Sequence, residues 1–167
     1  MKKLTKKRLI KSVALIFALC VIILAGKLFT GQNSAKEVGE DFMVVLDADQ
    51  GDSILICSNG RSALIDTGKE MNSRALLTKI RSYGVDELDA LIISHSHEDH
   101  AGGAEYLLGN IKTHNIVIPE FKSDENVDEL NSAIVKSGAE IFTASEGMVI
   151  NIGDFEFTVL YADNEDE

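Results

Sequence analysis

Apolar positions follow three different patterns along the chain. Val13–Gly26, VALIFALCVIILAG, runs fourteen residues without a polar side chain. Leu28 and Phe29 continue it past Lys27, whose stem can snorkel toward an interface. Seventeen residues from Val13 to Phe29 make about 25 Å of helix, enough to cross a thin bilayer. Thr30–Glu40, TGQNSAKEVGE, is small and polar and reads as a linker. From Asp41 onward the apolar residues come in short runs separated by turn signals.

Those runs predict a β-rich α/β domain. Phe42–Ala48, Ser53–Cys57 and Ala63–Asp66 read as three strands, divided by Asp49-Gln50-Gly51-Asp52 and Ser58-Asn59-Gly60. Ser73–Tyr83 reads as a helix with apolar residues at Ala75, Leu76, Leu77 and Ile80 and Gly84 as its stop. Leu88–Ser94 is a buried-type strand, Gly103–Leu108 a short helix, and Asn115–Ile118 a strand ended by Pro119, the only proline. Asn126–Lys136 reads as a helix with Val127, Leu130, Ile134 and Val135 on one side. Glu140–Thr143, Met148–Ile150 and Phe155–Tyr161 alternate as strands, with a turn at Asn151–Asp154. The order βββ-αβ-αβ-αβββ predicts one mixed sheet with helices on one face. Its strands are apolar at consecutive positions, so the second face also needs cover.

Charge sharpens the division. Residues 1–35 hold seven basic side chains and no acid, whereas residues 36–167 hold nine basic and 27 acidic ones, a balance of −18. A basic flank before an apolar stretch is a signal anchor or a cleaved signal peptide. The positive-inside rule puts Met1 in the cytoplasm and the acidic part outside, anchored or secreted. The expected organisation is a basic and transmembrane segment over 1–29, a linker over 30–40 and one domain over 41–167. The acidity disfavours tight nucleic-acid binding, which needs cationic neutralisation of phosphates. Two cysteines, Cys20 and Cys57, exclude a disulfide framework; Cys57 reads as a small core residue.

Candidate chemistry is concentrated in one place. The strand Leu88–Ser94 runs into His95-Ser96-His97-Glu98-Asp99-His100, then Ala101-Gly102-Gly103, so three of the four histidines lie within six residues. In extended chain His95 and His97 project to one side and can chelate one ion. Asp99 and His100, in the turn toward a helix, can face a second. Imidazole and carboxylate suit zinc when thiolates are absent. The C-terminal end of a strand is also where α/β proteins place ligands. Glu98 receives no role, and His114 reads as an exposed strand-entry residue.

HSHEDH matches the H-x-H-x-D-H signature of the metallo-β-lactamase fold superfamily, and the upstream LIDTG (Leu64–Gly68) resembles that family's first motif. LDADQGDSILI, ALIDTG and YGVDELDALIISHSHEDHAGG are similar to the extracellular metallo-β-lactamase-like domain of ComEC-type competence proteins, over roughly Asp41 to Tyr161. The resemblance implies an αββα sandwich, of which this sequence supplies the N-terminal αβ half. It implies His95 and His97 on a first metal, and Asp99 and His100 on a second. Asp66 would orient a ligand imidazole; an Asx turn before Thr67-Gly68 is the competing role. Asp52 matches the competence-type pattern, and a hairpin-turn aspartate explains it as well. The implied cofactor is one or two zinc ions, with manganese or iron as alternatives, and Asp99 would also orient the attacking water.

The family's second half supplies a bridging Asp and a further His, whereas no histidine follows His114 here. Two readings therefore stand. One is a membrane-anchored metal-dependent hydrolase, phosphodiesterase- or nuclease-like and related to DNA uptake. The other is a truncated, non-catalytic metal-binding or partner-binding domain. An uncovered sheet face would be met by a second copy of the chain, or by the missing half.

Overall fold

Strands pair in the order in which the chain makes them. The computed structural model describes residues 41–121 and 125–162. The expected anchor over 1–29 and linker over 30–40 lie outside those residues. Among the described residues no helix is long and apolar enough to cross a membrane. The elements are β1 (Phe42–Val45), β2 (Ile54–Ser58), β3 (Arg61–Ile65), a 3-10 turn (Glu70–Asn72), α1 (Ser73–Ser82), β4 (Glu87–Ile92), α2 (Glu98–Ala101), α3 (Ala104–Leu108), β5 (Lys112–Ile118), α4 (Glu125–Ser137), β6 (Glu140–Thr143), β7 (Val149–Ile152) and β8 (Phe155–Thr158).

Six strands form one mixed sheet in the order β1-β2-β3-β4-β5-β6. The first three are antiparallel neighbours, and β3 to β6 are parallel. The β2–β3 hairpin closes on Asn59 (φ 49°) and Gly60 (φ 74°), two left-handed residues whose twist matches the flanking strands. From β3 onward each crossover steps in the same direction along the sheet. Right-handed crossovers then put every connecting helix on the same face. One continuous core joins that face to the helices: Leu55, Leu64, Leu91, Ile93 and Ile116 from the strand segments meet Leu76, Leu77, Ile80, Leu107, Leu130 and Ile134. Fully burying side chains of this size contributes about 1.5–3 kcal/mol each.

The far face carries its own small cluster, Ile56, Ala63 and Ala90 packed with Ile152. This corrects the sequence expectation of a single sheet. β7 and β8 pair only with each other and lie against β2 and β3 on the side away from the helices. The cause is their pattern. Ile150, Ile152, Phe155 and Phe157 share one face of the hairpin, so it packs flat on Ile54, Ile56 and Ile65. The Asp154 N–H donates to the Ser58 hydroxyl at 2.9 Å and fixes the hairpin's tip. Beyond its reach on β1, Met43 and Val45 stay exposed, at 62% and 72%.

Smaller corrections follow the same physics. β1 stops at Val45, because the Asp47–Asp52 loop leaves the ladder after the Leu46 N–H bonds the Ser53 carbonyl; Leu46 and Ala48 are nevertheless buried. β8 stops at Thr158 rather than Tyr161. Val135 is 73% exposed, not inward. At 100° per residue it lies off the stripe made by Val127, Leu130, Ala133 and Ile134. Cys57 is half-buried against the main core.

Candidate metal centre

Two loops build the site, and both leave the C-terminal ends of parallel strands. The first follows β3 and holds Asp66, Thr67 and Gly68. The second follows β4 and holds Ser94 to Gly103. Backbone bonds stitch them together. The Asp66 N–H donates to the Ile92 carbonyl at 2.9 Å, the Thr67 N–H to the His100 carbonyl at 2.7 Å, and the Gly103 N–H to the Gly68 carbonyl at 2.9 Å. The Thr67 hydroxyl adds a second bond to the His100 carbonyl at 2.9 Å. Thr67 is fully buried.

Asp66 sits at φ 58°, a left-handed conformation that Asp tolerates better than most residues. Its buried carboxylate accepts from the Ser94 N–H at 2.7 Å, from the Ser94 hydroxyl at 2.7 Å and from the His100 Nδ1 at 2.8 Å. The last bond fixes the imidazole: with Nδ1–H given to Asp66, the lone pair of His100 lies on Nε2. The Ser94 hydroxyl also lies 3.0 Å from the His95 Nδ1. One carboxylate thus steers two histidines, one directly and one through a serine. Ser94 carried no sequence signal, since a serine at a strand end has many uses.

His95, Asp99 and His100 present one ligand atom each within 4.8 Å of one another. The His95 and His100 rings have centroids 3.9 Å apart. His97 stands edge-on to His95 at 4.8 Å between centroids, is exposed, and lies outside the group of three. The structure thus places His97 beside His95, as the alternation predicts, and gathers His95, Asp99 and His100 most tightly. His97 ends the extended stretch as the residue before α2, with φ −60° and ψ 148°, so it turns outward where the chain coils. His114 lies within β5 and is exposed, as expected, with its Nε2 3.2 Å from the Glu87 carboxylate.

Two imidazoles and a carboxylate are a donor set suited to a divalent ion of the zinc type. The electrostatics agree. Burial first, and then the neighbouring His100 and His97, hold the His95 pKa below its ordinary value, which favours the neutral imidazole a metal needs. In the metal-free chain His95 is expected to titrate below the ordinary histidine value in an NMR pH series. The sign follows from linkage: a depressed histidine pKa contributes stability present above the unfolded value, and that stability is lost as pH falls toward the folded one. A His95 midpoint at or above the ordinary value would contradict this.

With the geometry in place, comparison with known proteins places the chain. The model of the metallo-beta-lactamase superfamily matches residues 46–165. The chain belongs to that superfamily. It is 32% identical over 136 residues to ComE operon protein 3 of Bacillus subtilis, covering 70% of this chain and 17% of that protein. It is 35% identical over 83 residues to Recombination protein 2 of Haemophilus influenzae, covering 47% and 10%. It is 34% identical over 84 residues to Competence protein ComA of Neisseria gonorrhoeae, covering 50% and 12%. This metallo-β-lactamase-fold chain is thus related to competence proteins, and spans under a fifth of the length of the curated relatives it matches. Among solved structures, a peroxy diiron species of the chemotaxis sensor ODP aligns with TM-score 0.52 at 23% identity, over 68% of this chain and 45% of that one. The metallo-β-lactamase SMB-1 with mercaptoacetic acid aligns with TM-score 0.50 at 19% identity, over 71% and 49%. These likenesses support the fold.

Proposed function

We propose that the chain is a metal-dependent hydrolase domain whose centre is built on His95, Asp99 and His100, acting on a phosphodiester or similar bond. One observation carries this reading: three donor atoms within 4.8 Å, one of them aimed by a buried carboxylate at 2.8 Å. A divalent ion held there would supply Lewis acidity for hydrolysis. The chain's own residues do the rest. Asp66 keeps the proton of His100 on Nδ1, and Ser94 holds the ring of His95. Asp99, with its side chain 44% exposed, can accept a proton from water or orient it. His97 belongs to the proposed centre as an outer histidine that a substrate or a second ion would draw in. The basic and apolar segment over 1–29 supports a membrane-anchored placement with the acidic domain outside. The −18 balance of residues 36–167 supports a substrate that is held at the metal rather than gripped along a nucleic-acid backbone.

The test uses the full-length chain loaded with zinc or manganese and a chromogenic phosphodiester. Turnover is expected to vanish with chelator and to fall at least about 100-fold in His95→Ala. A folded, metal-loaded chain with no turnover above the buffer blank would leave the second reading, a metal-binding or partner-binding domain. That reading has its own support in the exposed Met43 and Val45 of the sheet's far side.

A further inference from the structure

Asp52 lies in the loop between β1 and β2, far in sequence from the histidines. Two features of sequence compete to explain it, a turn role and a role at the site. The structure separates them. The aspartate that serves the turn is Asp47, whose Oδ1 accepts the Asp49 N–H at 3.2 Å. Among the described residues no backbone N–H donates to the Asp52 carboxylate. The His100 Nε2 lies 3.8 Å from its Oδ2. The same nitrogen lies 3.8 Å from the Asp99 Oδ2.

A separation of 3.8 Å is too long for a hydrogen bond. It is close to the spacing of two donors that share a cation: bonds of about 2.1 Å at tetrahedral angles hold ligand atoms about 3.4 Å apart. The His100 Nδ1 is taken up by Asp66, which leaves Nε2 turned to the two carboxylates. Both face that one nitrogen at equal distances, an arrangement that suits an ion between them.

The loop is also held in place. The Asp52 N–H donates to the Asp99 carbonyl at 3.1 Å, and the Gly68 N–H donates to the Asp52 carbonyl at 3.0 Å. Gly51 packs so closely that a Cβ there would stand 2.5 Å from the Asp99 carbonyl oxygen. Backbone contacts on both sides thus fix Asp52 to the turn that carries Asp99, although its side chain is 69% exposed. A solvated carboxylate with a pinned backbone can swing onto an ion at little cost.

We infer that Asp52 is a further metal ligand, joining His95, Asp99 and His100 from the β1–β2 loop. This rests on the metal reading above and goes beyond it: Asp52 lies outside the three donors that sit within 4.8 Å of one another and would join them as a fourth.

The experiment measures zinc affinity of the full-length chain by competition with a chromophoric chelator, and records the visible spectrum of the cobalt-substituted protein. Asp52→Asn is expected to weaken zinc binding about tenfold or more and to alter the cobalt ligand-field bands. Asp52→Glu, which keeps the carboxylate, is expected to recover part of that loss. Asp99→Asn serves as the comparison. Thermal melts of the metal-free variants report the fold separately, and the exposed, unbonded carboxylate predicts little change. Zinc affinity and cobalt bands in Asp52→Asn equal to wild type, with Asp99→Asn weakened, would overturn this assignment and leave the three-residue centre standing. A wild-type chain that binds no zinc would overturn both.

Discussion

Asp66→Ala is expected to lose metal affinity about 10–100-fold and to destabilise the domain by about 3 kcal/mol. The carboxylate accepts three hydrogen bonds, two from Ser94 and one from His100. Removing it leaves a backbone N–H and an imidazole N–H without their acceptor, in a part-buried pocket. It also places alanine at φ 58°, which costs about 1 kcal/mol more than aspartate, since a short polar side chain can bond locally there. Asp66→Asn separates the two effects. Asparagine tolerates the left-handed backbone and keeps the shape, but removes the charge that holds the proton on His100 Nδ1. It is expected to recover most of the stability and little of the affinity. Chemical denaturation and a zinc competition titration measure the two quantities. Equal zinc affinity in wild type and both variants would refute the orienting role.

Gly103→Ala is expected to destabilise the domain by about 1–3 kcal/mol through overpacking alone. Gly103 has an ordinary backbone, φ −79° and ψ −7°, so no conformational penalty applies. A Cβ there would stand 2.5 Å from the Thr67 carbonyl oxygen, 3.3 Å from the Thr67 Cβ and 3.4 Å from the Ser73 Cβ. Thr67 and Ser73 are buried, at 0% and 5% exposure, and cannot step aside into solvent. The clash would open the joint between the two site loops, so zinc affinity falls with stability. Gly84→Ala is the contrast. Gly84 has φ 80° with nothing near its missing Cβ, so it pays only the left-handed penalty of about 1 kcal/mol. It lies away from the loops and is expected to leave zinc binding unchanged. At this size each kcal/mol moves the thermal midpoint by about 4 °C, which a melting curve resolves.

Periodicity made the architecture legible because each element carries a local signal. Leu76, Leu77 and Ile80 mark one side of α1, and the doubly buried pairs Leu55-Ile56 and Ala63-Leu64 mark strands covered on both faces. The spacing of His95, Asp99 and His100 was equally visible, since all three lie within one turn of chain. The hairpin's position was not legible. Ile150, Ile152, Phe155 and Phe157 announce an apolar face, yet whether it extends a sheet or lies upon one depends on partners a hundred residues earlier, such as Ser58. One closeness at the site was not a matter of spacing. Two-residue alternation predicts His95 beside His97, which the rings show at 4.8 Å, whereas the coil that begins at Glu98 also brings His100 over His95 at 3.9 Å. Ser94 and Asp52 gain their places only through contacts distant in sequence, which no spacing rule records.

Because the strand order across the six-stranded sheet repeats the order along the chain, the topology permits vectorial assembly. Each strand from β2 to β6 docks on the edge left by the one before it, and only the far face of β2 to β4 waits for the later β7–β8 hairpin. The residues proposed to hold the ion, from Asp52 to His100, are all synthesised before β5 and β6 exist. The pocket can therefore begin to take shape on a nascent chain, with the later strands broadening the platform beneath it.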